Sequence, residues 1–242
     1  MIKLNCDMGE SFGIWKMGED ELIMPHINMA NLACGFHSSD STTMNKSVEL
    51  AVKHNVTIGA HPSYQDLVGF GRRSIACTEE EISAIILYQI GALSSFCKVH
   101  NTNISYVKPH GALYNDMMKD ENIFKSILRA IASFDKTIKL MILSTPDYER
   151  FENIASFYDI ELLYEVFADR NYNDDGSLVS RTQNNAVVQN EEDVISRVKI
   201  LSKDGYIESI NGKKLPIKAN TICVHGDGEN ALSFIKALKK VL

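Results

Sequence analysis

The 242-residue sequence predicts an α/β fold: a closed parallel barrel of seven β/α units, TIM-like but distorted, related to the (β/α)8 form and one unit short of it. Three observations lead there. Short apolar runs alternate with segments of helical periodicity along the whole chain. The runs are largely apolar, as in parallel strands buried on both faces. Residues able to do chemistry recur just after the runs, the end of a parallel barrel where ligands gather. An open doubly wound sheet is the competing arrangement, because strand count alone does not prove closure. No Pro/Gly/Ser-rich linker breaks the pattern, so residues 1–242 read as one domain.

Ile2–Cys6 alternates and reads as the first strand, ending in Asp7-Met8-Gly9-Glu10-Ser11-Phe12-Gly13, a loop with two carboxylates. A short helix near Glu19–Met24 precedes a second strand, Met29–Cys34, which leaves through Gly35-Phe36-His37-Ser38-Ser39-Asp40. Asp40 or Ser41 is suited to cap the next helix, where Met44, Val48, Ala51 and Val52 keep helical spacing. The third strand, Val56–Ala60, delivers His61, and a loop with Gly69, Gly71, Arg72 and Arg73 follows. Thr78 and Glu81 form a capping box for a helix with Ile82, Ile85, Ile86, Ile90, Leu93 and Phe96 on one face.

The fourth strand, Tyr106–Val107, runs into Lys108-Pro109-His110-Gly111. Proline cannot donate to a central ladder, so Pro109 marks the exit, and Ala112-Leu113-Tyr114 begins a helix. Strand five is Lys139–Leu143, followed by Thr145 as N-cap with Pro146 at the first helical position. Strand six, Glu161–Val166, closes at Phe167-Ala168-Asp169-Arg170. The polar stretch Asn171–Asn185, with Asp174, Asp175, Gly176 and Arg181, has the length of a lid or binding loop. A helix over about Glu191–Leu201, a hairpin around Asn211-Gly212, strand seven at Thr221–Val224 and a helix over Glu229–Leu242 complete the chain.

Composition narrows the function classes. With 45% hydrophobic and 23% charged residues the chain can bury a sizeable core. A net charge of -6, with Lys and Arg scattered, gives no nucleic-acid surface. No apolar run approaches the ~20 residues that span a bilayer, and the N-terminus lacks a secretory core; the expectation is a cytoplasmic protein with no membrane partner. Five cysteines without close pairs fit reduced, mostly buried thiols.

The strand exits supply Asp7, His37, His61, Lys108 with His110, Asp169 with Arg170, and His225 with Asp227. If the barrel closes, one rim gathers imidazoles, carboxylates and two cations, a set that binds a small anion and moves protons near neutral pH. Structural roles stay open beside this one: His225 satisfying a buried carbonyl, Asp227 capping the last helix, Asp169 and Arg170 pairing. No HxxH, HExxH or CxxC motif anchors two metal ligands locally, which leaves only ligands from separate strands. Neither a GxSxG elbow nor a GxxxxGK[ST] loop is present.

At these residues the chain closely resembles the LamB/YcsF family. The resemblance rests on Leu4-Asn5-Cys6-Asp7-Met8-Gly9-Glu10-Ser11-Phe12-Gly13, Ala33-Cys34-Gly35-Phe36-His37, Ile58-Gly59-Ala60-His61-Pro62 and Leu67-Val68-Gly69-Phe70-Gly71-Arg72-Arg73. It continues through Val107-Lys108-Pro109-His110-Gly111-Ala112-Leu113-Tyr114-Asn115, Glu165-Val166-Phe167-Ala168-Asp169-Arg170 and Thr221-Ile222-Cys223-Val224-His225-Gly226-Asp227. Ser38-Ser39 and Ser63 depart from the smaller residues common in the family. The resemblance implies a barrel similar to that of polysaccharide deacetylases. It also implies a cytoplasmic subunit of an ATP-dependent enzyme that converts 5-oxo-L-proline and water to L-glutamate. Two partner subunits, resembling halves of a carboxylase-like amidohydrolase, are implied with it, and ATP would bind at or with them; a divalent metal is left undecided.

In the implied reaction Asp7 or His61 is the base, Lys108 and Arg170 hold anionic groups, and His110 or His225 protonates the departing nitrogen. Asp169 joins this catalytic set, with Glu10, His37, Arg72, Arg181, His225 and Asp227 as substrate-binding residues. Two other readings are a stand-alone metal-dependent deacetylase or amidohydrolase of the same barrel type, and a non-catalytic protein that only binds substrate for its partners.

Overall fold

Apolar strands that end in polar residues need both faces covered, and the chain meets that need by closing its sheet. The structure, a computed structural model, describes residues 2–180, 182–188, 190–224 and 231–242. In order it runs through β1 (Lys3–Met8), α1 (Asp20–Ile23), β2 (Met29–Ala33), α2 (Ser41–Lys53), β3 (Thr57–His61), α3 (Glu79–Val99), β4 (Tyr106–Val107) and α4 (Gly111–Lys119). It continues with α5 (Glu121–Phe134), β5 (Lys139–Leu143), α6 (Tyr148–Ser156), β6 (Leu162–Phe167), α7 (Glu191–Asp204), the strands β7 (Tyr206–Glu208) and β8 (Lys214–Pro216), β9 (Thr221–Cys223) and α8 (Ala231–Leu238). The barrel order is β1-β2-β3-β4-β5-β6-β9. All its pairs are parallel, with β9 bonded to both β6 and β1. The fold is therefore the closed seven-strand barrel, not the open sheet.

Strand pleating divides each strand between two environments. Leu4, Cys6 and Met8 face outward into the main hydrophobic core under the helices. Asn5 and Asp7 point the other way, into the barrel. At its N-terminal end the interior is filled by Met29, Tyr106 and Met141, with Leu163 packed on them. Gly59 faces the Tyr106 ring, which occupies the space a Cβ would need.

Element boundaries shift in ways that matter for the site. β1 runs on to Met8, so Asp7 sits in the ladder opposite Asn31 rather than in a loop. His61 is likewise the last strand residue of β3, opposite Ala33. Asp40 is the α2 N-cap, accepting from Thr42 N at 2.8 Å and Thr43 N at 3.0 Å. The capping box of α3 forms as the sequence predicts. Helix α5 has no counterpart in the sequence reading, and α6 starts at Tyr148 with Asp147 as N-cap, not at Pro146. The turn through Pro146 instead carries Thr145 and Asp147 to the rim of the central cavity. The Asn211-Gly212 hairpin forms as β7 and β8, with Gly212 at φ +77°. α3 is long and apolar enough by composition to cross a membrane, contrary to the sequence expectation, yet it packs along α5 as a barrel-covering helix.

After β6 the described parts of the long polar loop are tied back to the strand's exit at Val179 and Ala186. Arg170 donates from its guanidinium to Val179 O at 2.6 Å and Ala186 O at 3.2 Å.

Candidate active site

β4 is only two residues long because Pro109 cannot continue the ladder, and this brings Lys108 to the barrel's C-terminal end. Lys108 N donates to Ala60 O at 2.9 Å and His110 N to Pro62 O at 2.8 Å, so the exit is fixed on both sides. The Lys108 side chain then lies inside the barrel, 2% exposed.

Its ammonium stands 2.8 Å from Asp7 Oδ1 and 2.8 Å from Glu165 Oε1. Burial by itself favours loss of the proton, but the Asp7 and Glu165 carboxylates outweigh it and hold the Lys108 pKa well above the usual lysine value. Cys223 Sγ is 3.3 Å away; burial pushes its thiol well up, so it is a neutral neighbour. Asn31 donates to Asp7 Oδ1 and to Asn5 Oδ1, both at 2.7 Å, and accepts from Tyr106 OH at 2.6 Å. Tyr114 OH donates to Glu165 Oε2 at 2.9 Å. A charge taken out of water is stable only when its polar neighbours are satisfied in this way.

Beside this network three imidazoles meet. His61 Nε2 lies 3.4 Å from Asp7 Oδ2 and 2.9 Å from His110 Nδ1. His37 stacks on His110 with ring centroids 3.7 Å apart and planes 2° from parallel, while His61 stands edge-on to both. His37 Nε2 is 3.2 Å from Glu10 Oε1 and His37 Nδ1 is 3.1 Å from Ser63 Oγ. Burial, then the neighbouring imidazoles, hold His37 and His110 well below the ordinary histidine pKa. One ligand atom from each of Glu10, His37, His61 and His110 lies within 4.8 Å of the others, a grouping able to hold a metal ion.

A cavity of about 820 Å³ opens over these groups. Asp7, His61, Lys108, His110, Arg72 and Arg170 line it, while Glu10, His37 and Asp169 are buried off its wall. The structure therefore brings Asp7, Glu10, His37, His61, Lys108 and His110 into one connected group. Arg72 faces the cavity from the β3 loop, its guanidinium 5.0 Å over the Phe70 ring. Arg170 lines the cavity and anchors its loop as well. Arg181, His225 and Asp227 lie outside the described residues.

Sequence reasoning missed Glu165, Tyr114, Asn31 and Asn5. The available signal was a glutamate inside β6, among residues expected to be buried on both faces.

Comparison with known proteins sets the site in context. A family model described as the LamB/YcsF family matches residues 2–242. The 5-oxoprolinase A subunit of Vibrio vulnificus (strain YJ016) is 52% identical over 241 residues, covering 100% of this chain and 97% of that protein. One of the 5-oxoprolinase A subunits of Pseudomonas aeruginosa is 47% identical, covering 100% and 96%. The crystal structure of a lactam utilization protein from Thermus thermophilus superposes with a TM-score of 0.92 at 36% identity, covering 100% of this chain and 95% of that one.

Proposed function

This chain belongs to the LamB/YcsF family, and we propose that it serves 5-oxoproline utilisation as one component of an ATP-dependent 5-oxoprolinase. One observation carries the reading: a charged, buried ammonium, a carboxylate and two imidazoles share one wall of a cavity large enough for a small organic acid. The names of relatives near 50% identity over the full chain supply the substrate class.

An unstrained lactam is a poor electrophile. Transfer of the ATP γ-phosphoryl group to the lactam oxygen would make it a leaving group. Water would then add to the ring carbon and the ring C–N bond would break to give an acyl phosphate, from which a second water would release phosphate and leave L-glutamate. Asp7, next to both Lys108 and His61, is suited to take the proton from the first water, with His61 as its partner. Lys108 and Arg170 are suited to balance the substrate carboxylate and the developing negative charge. His110, on the same wall, is suited to the departing nitrogen. ATP and the phosphoryl step are assigned to the two partner subunits, in keeping with the lack of a phosphate-cradling sequence.

The test is glutamate release from 5-oxoproline by the chain alone and with its partner subunits, each with and without ATP. Release only with the full set is expected, and His110→Ala should lower it by at least ~10²-fold. Release by the chain alone without ATP would favour the stand-alone amidohydrolase. Full turnover with folded Asp7→Asn and His61→Ala variants would leave only a substrate-binding role.

A further inference from the structure

His61 and His110 each use one ring nitrogen on a backbone carbonyl: His61 Nδ1 on Lys108 O at 2.7 Å, and His110 Nε2 on Phe70 O at 2.9 Å. A carbonyl oxygen only accepts, so those two nitrogens carry the protons. In the neutral rings the other two, His61 Nε2 and His110 Nδ1, are bare lone pairs, and they face each other at 2.9 Å. Glu10 Oε1, another lone-pair donor, is 3.6 Å from His110 Nδ1. Lone pairs that converge this closely repel unless an electrophile lies among them.

We propose that Glu10, His61 and His110 bind a divalent first-row transition ion, of which zinc is the type, with His37 as a positioning residue. Two imidazoles and a carboxylate form the donor set of catalytic zinc centres, which keep a position open for water. Donors 2.0–2.1 Å from an ion subtend roughly 90° when 2.9 Å apart and roughly 120° when 3.6 Å apart, both ordinary coordination angles. The rings of His61 and His110 stand 88° apart, so the two are not stacked as His37 and His110 are.

His37 lies parallel to His110 and cannot aim an in-plane lone pair at the same point. Its Nε2 meets Glu10 Oε1 instead, and Ser63 fixes its far side, the arrangement by which outer-shell groups orient a ligand. His61 and His110 both face the cavity, so the open position of the ion would face it too. Polarising a carbonyl or activating water there rests on the lactam reading above, in which the ion would then replace His61 and His110 as carriers of the proton; the binding itself does not.

The competing occupant of the gap is one proton shared by the two rings. Chelator-stripped, dialysed full-length chain is titrated with Zn²⁺ by calorimetry, and Co²⁺ is added separately with its visible absorption recorded. One equivalent of Zn²⁺ per chain and a Co²⁺ ligand-field band are expected. His61→Ala, His110→Ala and Glu10→Gln should each bind at least ~10²-fold more weakly, and His37→Ala about 10–100-fold more weakly, with circular dichroism unchanged. If those variants fail to fold, ¹⁵N spectra of the wild-type imidazoles carry the test: Zn²⁺ should shift His61 Nε2 and His110 Nδ1 selectively. A folded wild type that takes up neither ion, or undiminished binding in both histidine variants, overturns the proposal in favour of the shared proton. No substrate, ATP or partner enters the titration, so a metal-free result leaves the lactam reading standing. Glutamate release failing with the metal-loaded chain, both partner subunits and ATP together would do the reverse.

Discussion

Lys108 shows what single residues decide in this barrel. Its ammonium is nearly sealed from water and lies between two carboxylates, so removing it strands two negative charges in a low-dielectric interior. Lys108→Met should lower unfolding free energy by about 3–5 kcal/mol in denaturant titrations, far more than loss of a surface pair such as Lys136 with Asp159. Tyr114→Phe removes one donor from buried Glu165 and should cost about 1–3 kcal/mol by the same measurement. The polar group containing Lys108 was half legible in the sequence. Asp7, His61 and His110 follow strands closely enough to be named from position alone. Glu165 was not, because its neighbours Leu162, Leu163, Tyr164 and Val166 read as ordinary strand residues. Lys108 across the barrel and Tyr114 on α4 give that carboxylate its purpose, and a pairing between distant elements has no local signature.

Helix ends show the same division at the scale of elements. Thr78 and Glu81 spell out the start of α3, and the structure builds the capping box as written. α4 and α5 escape such punctuation: Asp120 ends one and caps the other, with no Gly or Pro between them to mark the boundary. Asp40 joins two elements at once, capping α2 while its Oδ2 accepts from Gly13 N at 2.8 Å in the loop after β1. The Gly13 amide first, then Thr43, hold its carboxyl below the usual range. Because the folded pKa is depressed, the stabilisation is present above the unfolded value of ~3.9 and is lost as pH falls through the folded one. Asp40→Ala should therefore cost about 0.5–2 kcal/mol at neutral pH, with the gap to wild type narrowing in melts below pH ~4. Gly59→Ala is expected to fail at the level of soluble expression, since its methyl group would enter the Tyr106 ring.

Closure belongs to the molecule as a whole. Alternating strands and helices were readable, and so was the number of barrel strands. Closure was expected from that pattern and is borne out, but no single strand shows it: the three residues of β9 carry no mark of a partner in β1 more than two hundred positions away. A chain ending at residue 220 should leave β1 and β6 as raw edges, aggregate, and show no cooperative unfolding transition in calorimetry. A soluble, cooperatively melting truncation would mean that six strands suffice. The closed wall also governs traffic. Met29, Tyr106 and Met141 plug one end of the barrel, so among the described residues the polar bowl opens at the other end. On the proposed function, what goes in there would come out the same way, and a spent molecule would bar the next arrival until it has left. Turnover in such a blind alley should slow as product accumulates, with product and substrate excluding each other competitively.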